Sequence, residues 1–147
     1  MNITYFAIVL IYMGFIIGLG AVTVIDIHGF LARKSLYWTQ ATIQTHKITK
    51  LLIWLGTTLK FIGLLLVYFL QQVHPYWLVT LSILMILIIN GMYLSLCISP
   101  ELLKHENEGV KTLLPAALQT KVLISFLISF TGWWLNFFLI TYLLFIL

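Results

Sequence analysis

Charge is what this sequence has least of. Asp, Glu, Lys and Arg together make up 8% of its 147 residues, against about 25% in an ordinary soluble domain. So few charged side chains cannot cover a water-soluble globule of this size. A soluble enzyme, a nucleic-acid module and a secreted scaffold are thereby excluded. Cysteine is nearly absent as well: the lone Cys97 lies inside an apolar run, which rules out a disulfide framework and a thiolate metal cluster. The chain has no Gly-rich phosphate loop, no nucleophile elbow and no paired intramembrane carboxylates. ATP hydrolysis, acyl transfer and glycosidic chemistry therefore have no support.

What fills the chain is hydrocarbon. Mean hydropathy is +1.09, and 62% of residues are hydrophobic. Four long apolar runs account for this, each near the roughly 20 residues that cross a bilayer core. Met1 to Ile25 holds no charged side chain, no basic leader and no small-residue cleavage site, so it reads as a retained first helix. The runs predict spans at about 3–28, 46–70, 76–99 and 120–146, with loops at 29–45 and 100–119, in one transmembrane domain covering 1–147. Continuous runs of this length exclude transmembrane β-strands, because in lipid a lone segment satisfies its own backbone only as a helix. The expected fold is all-α, an integral membrane four-helix bundle. Pro75, Pro100 and Pro115 fall at the borders, where a helix starts or stops.

The net charge of +4 follows from topology. Arg33, Lys34, Lys47 and Lys50 flank the first long connection; Lys104, Lys111 and Lys121 flank the second; only Lys60 lies elsewhere. Lys and Arg collect on the cytoplasmic side, so both termini are expected outside, in a multi-pass protein of a bacterial cytoplasmic membrane. No nucleic-acid partner is needed to explain the charge. Tyr76 and Trp77 outside, and Tyr37 and Trp38 inside, suit the interfacial belts. The stretch 32–50, rich in cations and aromatics, reads as an amphipathic segment at the headgroups or a lid over the site described next. The loop 101–121 reads as a solvated cap, and His74 and His105 as connector residues. No internal repeat is visible, which gives no support to an inverted-repeat transporter.

A helical wheel predicts which faces turn inward. Gly14, Gly18, Ala21, Ile25 and His28 share one side of span one; His46, Lys50, Ile53, Thr57 and Lys60 share one side of span two, bordered by Gly56 and Gly63. Asn90 with Ile83, Ile86, Leu94 and Cys97 marks span three, and Lys121, Ser125, Ser129, Gly132 and Asn136 mark span four. Small and hydroxyl residues on such stripes serve close packing. One of Trp133 and Trp134, mid-span, fills the interior or a subunit contact.

Two features point to chemistry. Lys60 sits midway along span two, where a charge costs at least about 2.5 kcal/mol; it could snorkel, lose its proton, or pair with an acid such as Asp26 or Glu101 or with a bound anion. His28 and His46 come to one cytoplasmic depth on neighbouring antiparallel helices, where two imidazoles could be the axial ligands of haem b, with Arg33, Lys34, Lys47 and Lys50 holding the propionates. Asp26, His28 and His46 could alternatively hold a divalent metal. Residues two apart diverge by about 160° on a helix, so that set requires unwinding near Gly29.

The His that ends span one (His28), the basic pair after it (Arg33, Lys34) and the entry of span two through Thr49, Trp54 and Gly56 resemble the small four-helix membrane proteins grouped with the membrane-type protoporphyrinogen oxidase and the copper-resistance D-like proteins. The resemblance covers about the first half of the chain. It implies a porphyrin-related or redox role at the cytoplasmic side, with His28 contacting haem or porphyrin and a quinone or another redox partner taking electrons. Span three has no Lys or Arg to match that group's later basic position.

Three functions are consistent with the sequence. One is a haem- or porphyrin-binding protein that transfers electrons or oxidises a porphyrin, with Lys60 and Asp26 handling protons. The second is an oligomeric transporter or channel component that uses Lys60. The third is an accessory subunit without chemistry. Orientation is testable alone. In a Cys97→Ala background, His74→Cys should react with a membrane-impermeant maleimide in intact spheroplasts and Lys111→Cys only after lysis; the opposite pattern would invert the topology.

Overall fold

The computed structural model describes residues 3–70 and 76–146, except the side chains of Tyr76 and Ile146. The elements are α1 (Ile3–Ala32), α2 (Leu36–Leu70), α3 (Tyr76–Tyr93), a π-helical turn (Leu94–Ile98), α4 (Ser99–Asn107) and α5 (Ala116–Ile146). Ile3–Ala32, Leu36–Leu70, Trp77–Asn107 and Ala116–Phe145 are each long and apolar enough to cross a membrane. The chain is therefore an all-α four-helix membrane bundle. The expected tight hairpin through 71–75, and His74 within it, lie outside the described residues.

The two halves are held by different means. α1 and α2 approach backbone to backbone. A Cβ on Gly14 would lie 2.6 Å from the Gly56 carbonyl oxygen, and a Cβ on Gly56 would lie 2.5 Å from the Gly18 nitrogen. Only glycine fits at either position, and the close approach maximises dispersion contact where lipid offers no hydrophobic drive. α3 and α5 are tied instead by polar side chains. Asn90 Nδ2 donates to the Ser125 carbonyl and to Ser129 Oγ, both at 2.9 Å, while Ser125 Oγ donates to Asn90 Oδ1 at 2.7 Å. Toward the opposite end of the bundle from the long connections, Asn136 Nδ2 donates to the Thr80 carbonyl at 3.1 Å. α1 joins the halves by packing Phe15 against Trp133 and Phe137.

The helices run farther than the sequence predicts. α1 and α2, at 30 and 35 residues, are about 45 and 52 Å long, well beyond a hydrocarbon core of about 30 Å. The expected loop 29–45 is reduced to a turn at Arg33–Ser35, where Lys34 N donates to the Leu31 carbonyl. Residues 36–50 do not form a separate lid. They are the first turns of α2, docked on α1 through Thr39 Oγ1, which donates to the Ala32 carbonyl at 2.9 Å. Their buried stripe of Thr39, Thr42, Ile43, His46 and Thr49 requires a protein partner, not lipid. The second connection is mostly exposed, as a solvated cap would be, but it is anchored by Leu102, Leu114 and Leu118. Ile25, Ile43, Ile98, Leu102, Leu114, Leu118, Val122 and Phe126 form a core of their own at the end of the bundle that carries the two long connections.

Pro100 does not stop span three. Its ring would collide with the carbonyl of Leu96 in a regular α-helix. The π turn widens the helix there, Ser99 N–H donating to the Leu94 carbonyl, and the rod continues through α4. The face of span three differs accordingly. Thr80, Leu84, Leu87 and Asn90 are buried, whereas Ile86 and Cys97, expected inside, are exposed. The wheels of the other three spans hold at Gly14, Gly18, Ala21, Ile25, His46, Thr57, Lys60, Ser125, Ser129 and Asn136; Lys121, at the cytoplasmic end, is exposed.

Glycine tolerance provides a direct check. Gly20 faces open space, with no heavy atom within 4 Å of a Cβ built on it. Gly56→Ala should destabilise by about 1–3 kcal/mol through overpacking, and Gly20→Ala by less than about 0.5 kcal/mol, read as thermal unfolding midpoints in detergent. Equal midpoints would refute the glycine crossing.

Candidate functional site

Ionisable groups occupy the bundle interior at two depths. The deeper is Lys60. The Gly14–Gly56 crossing brings α1 so close that a Cβ on Gly14 would touch the Lys60 backbone. The side chain is driven toward α5, fully buried at 0% exposure. Its Nζ has no hydrogen-bond partner among the described residues. It lies 4.0 Å from the Trp133 ring centroid and 4.9 Å from that of Phe15. A desolvated cation on an indole face gains about 2 kcal/mol, less than its cost at mid-bilayer. Trp133 is itself 1% exposed and sits where Gly18 lacks a Cβ. The acids expected as partners are elsewhere: Glu101 pairs with Lys121 at 3.3 Å, and Asp26 lies twelve residues, about 18 Å along α1, from Gly14.

The shallower group surrounds a cavity of about 30 Å³ lined from all four spans. α1 supplies Asp26, α2 supplies His46, Lys50 and Trp54, the π turn supplies Ser95, and α5 supplies Ser129. Both Asp26 carboxylate oxygens and His46 Nε2 are buried and lack a hydrogen-bond partner among the described residues. Trp54 Nε1 donates to Ser95 Oγ at 3.1 Å, linking α2 to the π turn. A second cavity of about 20 Å³ shares Ile53, Trp54, Gly91, Leu94 and Ser129 with the first and extends to Thr57 and Trp133. The two neighbouring cavities therefore lie between Asp26 and His46 at one end and the ring that covers Lys60 at the other.

The expected site residues are divided by this arrangement. His46, Asp26 and Lys50 meet at the cavity. His28 does not: its Nδ1 is 3.1 Å from Thr45 Oγ1, and its ring rests 5.2 Å from that of Trp38. Lys47 is engaged with Glu106 at 2.7 Å, an oxygen that also accepts from Gln44 Nε2 at 2.6 Å. Arg33 and Lys34 are exposed at the hairpin turn. The residues present do not fit a haem or porphyrin between His28 and His46. The imidazoles do not line one cleft, α1 and α2 are packed together, and a 30 Å³ cavity admits about two or three water molecules, not a macrocycle. Nor do Asp26, His28 and His46 form a metal group, and no set of three or more His, Cys, Asp and Glu does so among the described residues.

Trp133 and Ser129 were the residues that sequence reasoning left without a functional place. A signal existed: Trp133 is one turn from Ser129, on the edge of the polar stripe of span four. No family model, curated protein or solved structure matches this chain. The residues that carry the family resemblance have visible packing duties here: Gly56 at the helix crossing, Thr49 donating to the Thr45 carbonyl at 2.9 Å, and Trp54 in the cavity wall.

A buried charge without a carboxylate partner has a stability signature. Replacing it with an apolar side chain of similar length removes the desolvation cost and leaves packing intact. Lys60→Met should be as stable as the parent or more stable by up to about 2 kcal/mol, while Trp133→Ala should lose about 3–5 kcal/mol. A Lys60→Met protein that unfolds more easily would assign Lys60 a structural bond instead.

Proposed function

We propose that this protein is a small ion-translocating component of a bacterial cytoplasmic membrane, with Lys60 as the residue that governs passage. The observation that supports this most directly is a fully buried mid-membrane lysine, without a hydrogen-bond partner among the described residues, held on the ring of Trp133, a residue that lines the second of two neighbouring cavities. Ionisable residues kept in the bilayer interior despite their cost mark ion and proton paths. The asymmetry of the groups gives the path a direction. Asp26, His46 and Lys50 gather on the side that the Lys and Arg distribution places at the cytoplasm, and Lys60 stands deeper, behind Trp133. Phe15 and Trp133 hold the ammonium by their faces. It is thus kept in place without the strong ion pair that would immobilise it.

Purified protein in liposomes under an imposed diffusion potential tests the proposal, with pH-, chloride- and potassium-sensitive dyes inside. The parent should carry flux above protein-free vesicles, and Lys60→Met should lower it at least tenfold. Equal flux from both proteins, or none above the empty vesicles, would overturn the assignment.

A further inference from the structure

Resting on that reading of Lys60, we infer that the translocated species is the proton, taken up at a water-sized site between Asp26 and His46. Three observations carry this, the first of which is size. The cavities measure about 30 and 20 Å³, while one water needs about 10–15 Å³ on this measure. The first therefore has room for about two or three waters and the second for about one or two. A hydrated alkali cation, a chloride with its shell or a metabolite does not fit, whereas a proton needs only a hydrogen-bonded water.

The second observation is the chemistry of the walls. Asp26 Oδ1, Asp26 Oδ2 and His46 Nε2 are buried without partners among the described residues, and His46 is 7% exposed. These are the groups to which a water or hydronium ion would bond. A metal cation at the same place would meet Lys50 in the lining and too few ligands. α3, the π turn and α5 present Gly91, Leu94, Ser95, Phe126 and Ser129, none of which carries a charge. Asp26, His46 and Lys50 are accordingly the only lining groups whose protonation can change.

Continuity is the third. The second cavity passes Ser129 and Thr57 and ends at Trp133, whose far side is Lys60. One turn further along α5, Asn136 Oδ1 is a buried acceptor without a donor among the described residues. A hydronium ion in the first cavity gives its proton to the Asp26 carboxylate or to His46 Nε2 and remains as water. The proton then passes through water as far as Trp133 and reaches Lys60 when that ring moves aside, as Lys60 releases its own proton to the far side of the bundle. Only O–H and N–H bonds form and break, and no oxidant or reductant is consumed. Trp133 separates the two stations.

The liposome assay separates this inference from the one it rests on. Native protein should move the pH dye while the chloride and potassium dyes stay still, a result that needs no variant. Asp26→Asn and His46→Gln should each cut proton flux at least tenfold at unchanged thermal midpoint, and Asp26→Glu should restore a measurable part of it. Lys60-dependent flux carried by chloride or potassium would overturn the proton inference and leave the translocation reading standing. Proton flux unchanged in both Asp26→Asn and His46→Gln would overturn it as well.

Discussion

Everything inside this bundle is positioned by the contact between two glycines. Where Gly14 and Gly56 meet, α1 and α2 come closer than any side chain would permit, and that proximity fixes the register of the helix pair. Lys60 follows Gly56 by one turn and Gly18 follows Gly14 by one turn. The crossing therefore places the ammonium and the recess for Trp133 side by side. Moving either glycine by one position would turn Lys60 toward lipid, where its only remedy is to snorkel.

The interior sorts its polar groups by whether they are satisfied. Asn90, Ser125 and Ser129 bond one another and serve as glue between α3 and α5. Asp26, His46 and Lys60 have no such partners among the described residues. Unpaired buried polar atoms cost free energy and need a reason. Their location at or beyond two neighbouring cavities supplies one, because groups that exchange a ligand cannot also be locked in permanent hydrogen bonds.

The number of spans, their order and three of the four inward faces were legible because hydropathy and the helical repeat report one thing, which side meets lipid. Gly14, Gly18, Ser125 and Asn136 announced themselves as small or polar residues in apolar runs. The face of span three was not legible: it offers a single strong cue, Asn90, and the π turn imposed by Pro100 turns Cys97 outward. The length of α2 was misread for a different reason. Residues 36–45 look amphipathic in isolation, and only the end of α1 reveals that their apolar side is already covered. His28 and His46 share a depth, as the hairpin required, but depth does not set direction. Thr45 and Trp38 hold His28 away from the cavity that His46 lines.

The aromatic cover over Lys60 has a consequence for biogenesis. Lys60 enters the membrane with the second span, whereas Trp133 belongs to the fourth, which is synthesised later. Between those events the nascent hairpin carries an ammonium with only Phe15 beside it, and its residence in the bilayer is marginal on insertion energetics. Synthesis of the fourth span thus secures a helix threaded much earlier, so that ribosomes stalled before Trp133 would leave a hairpin prone to slip back or to be degraded.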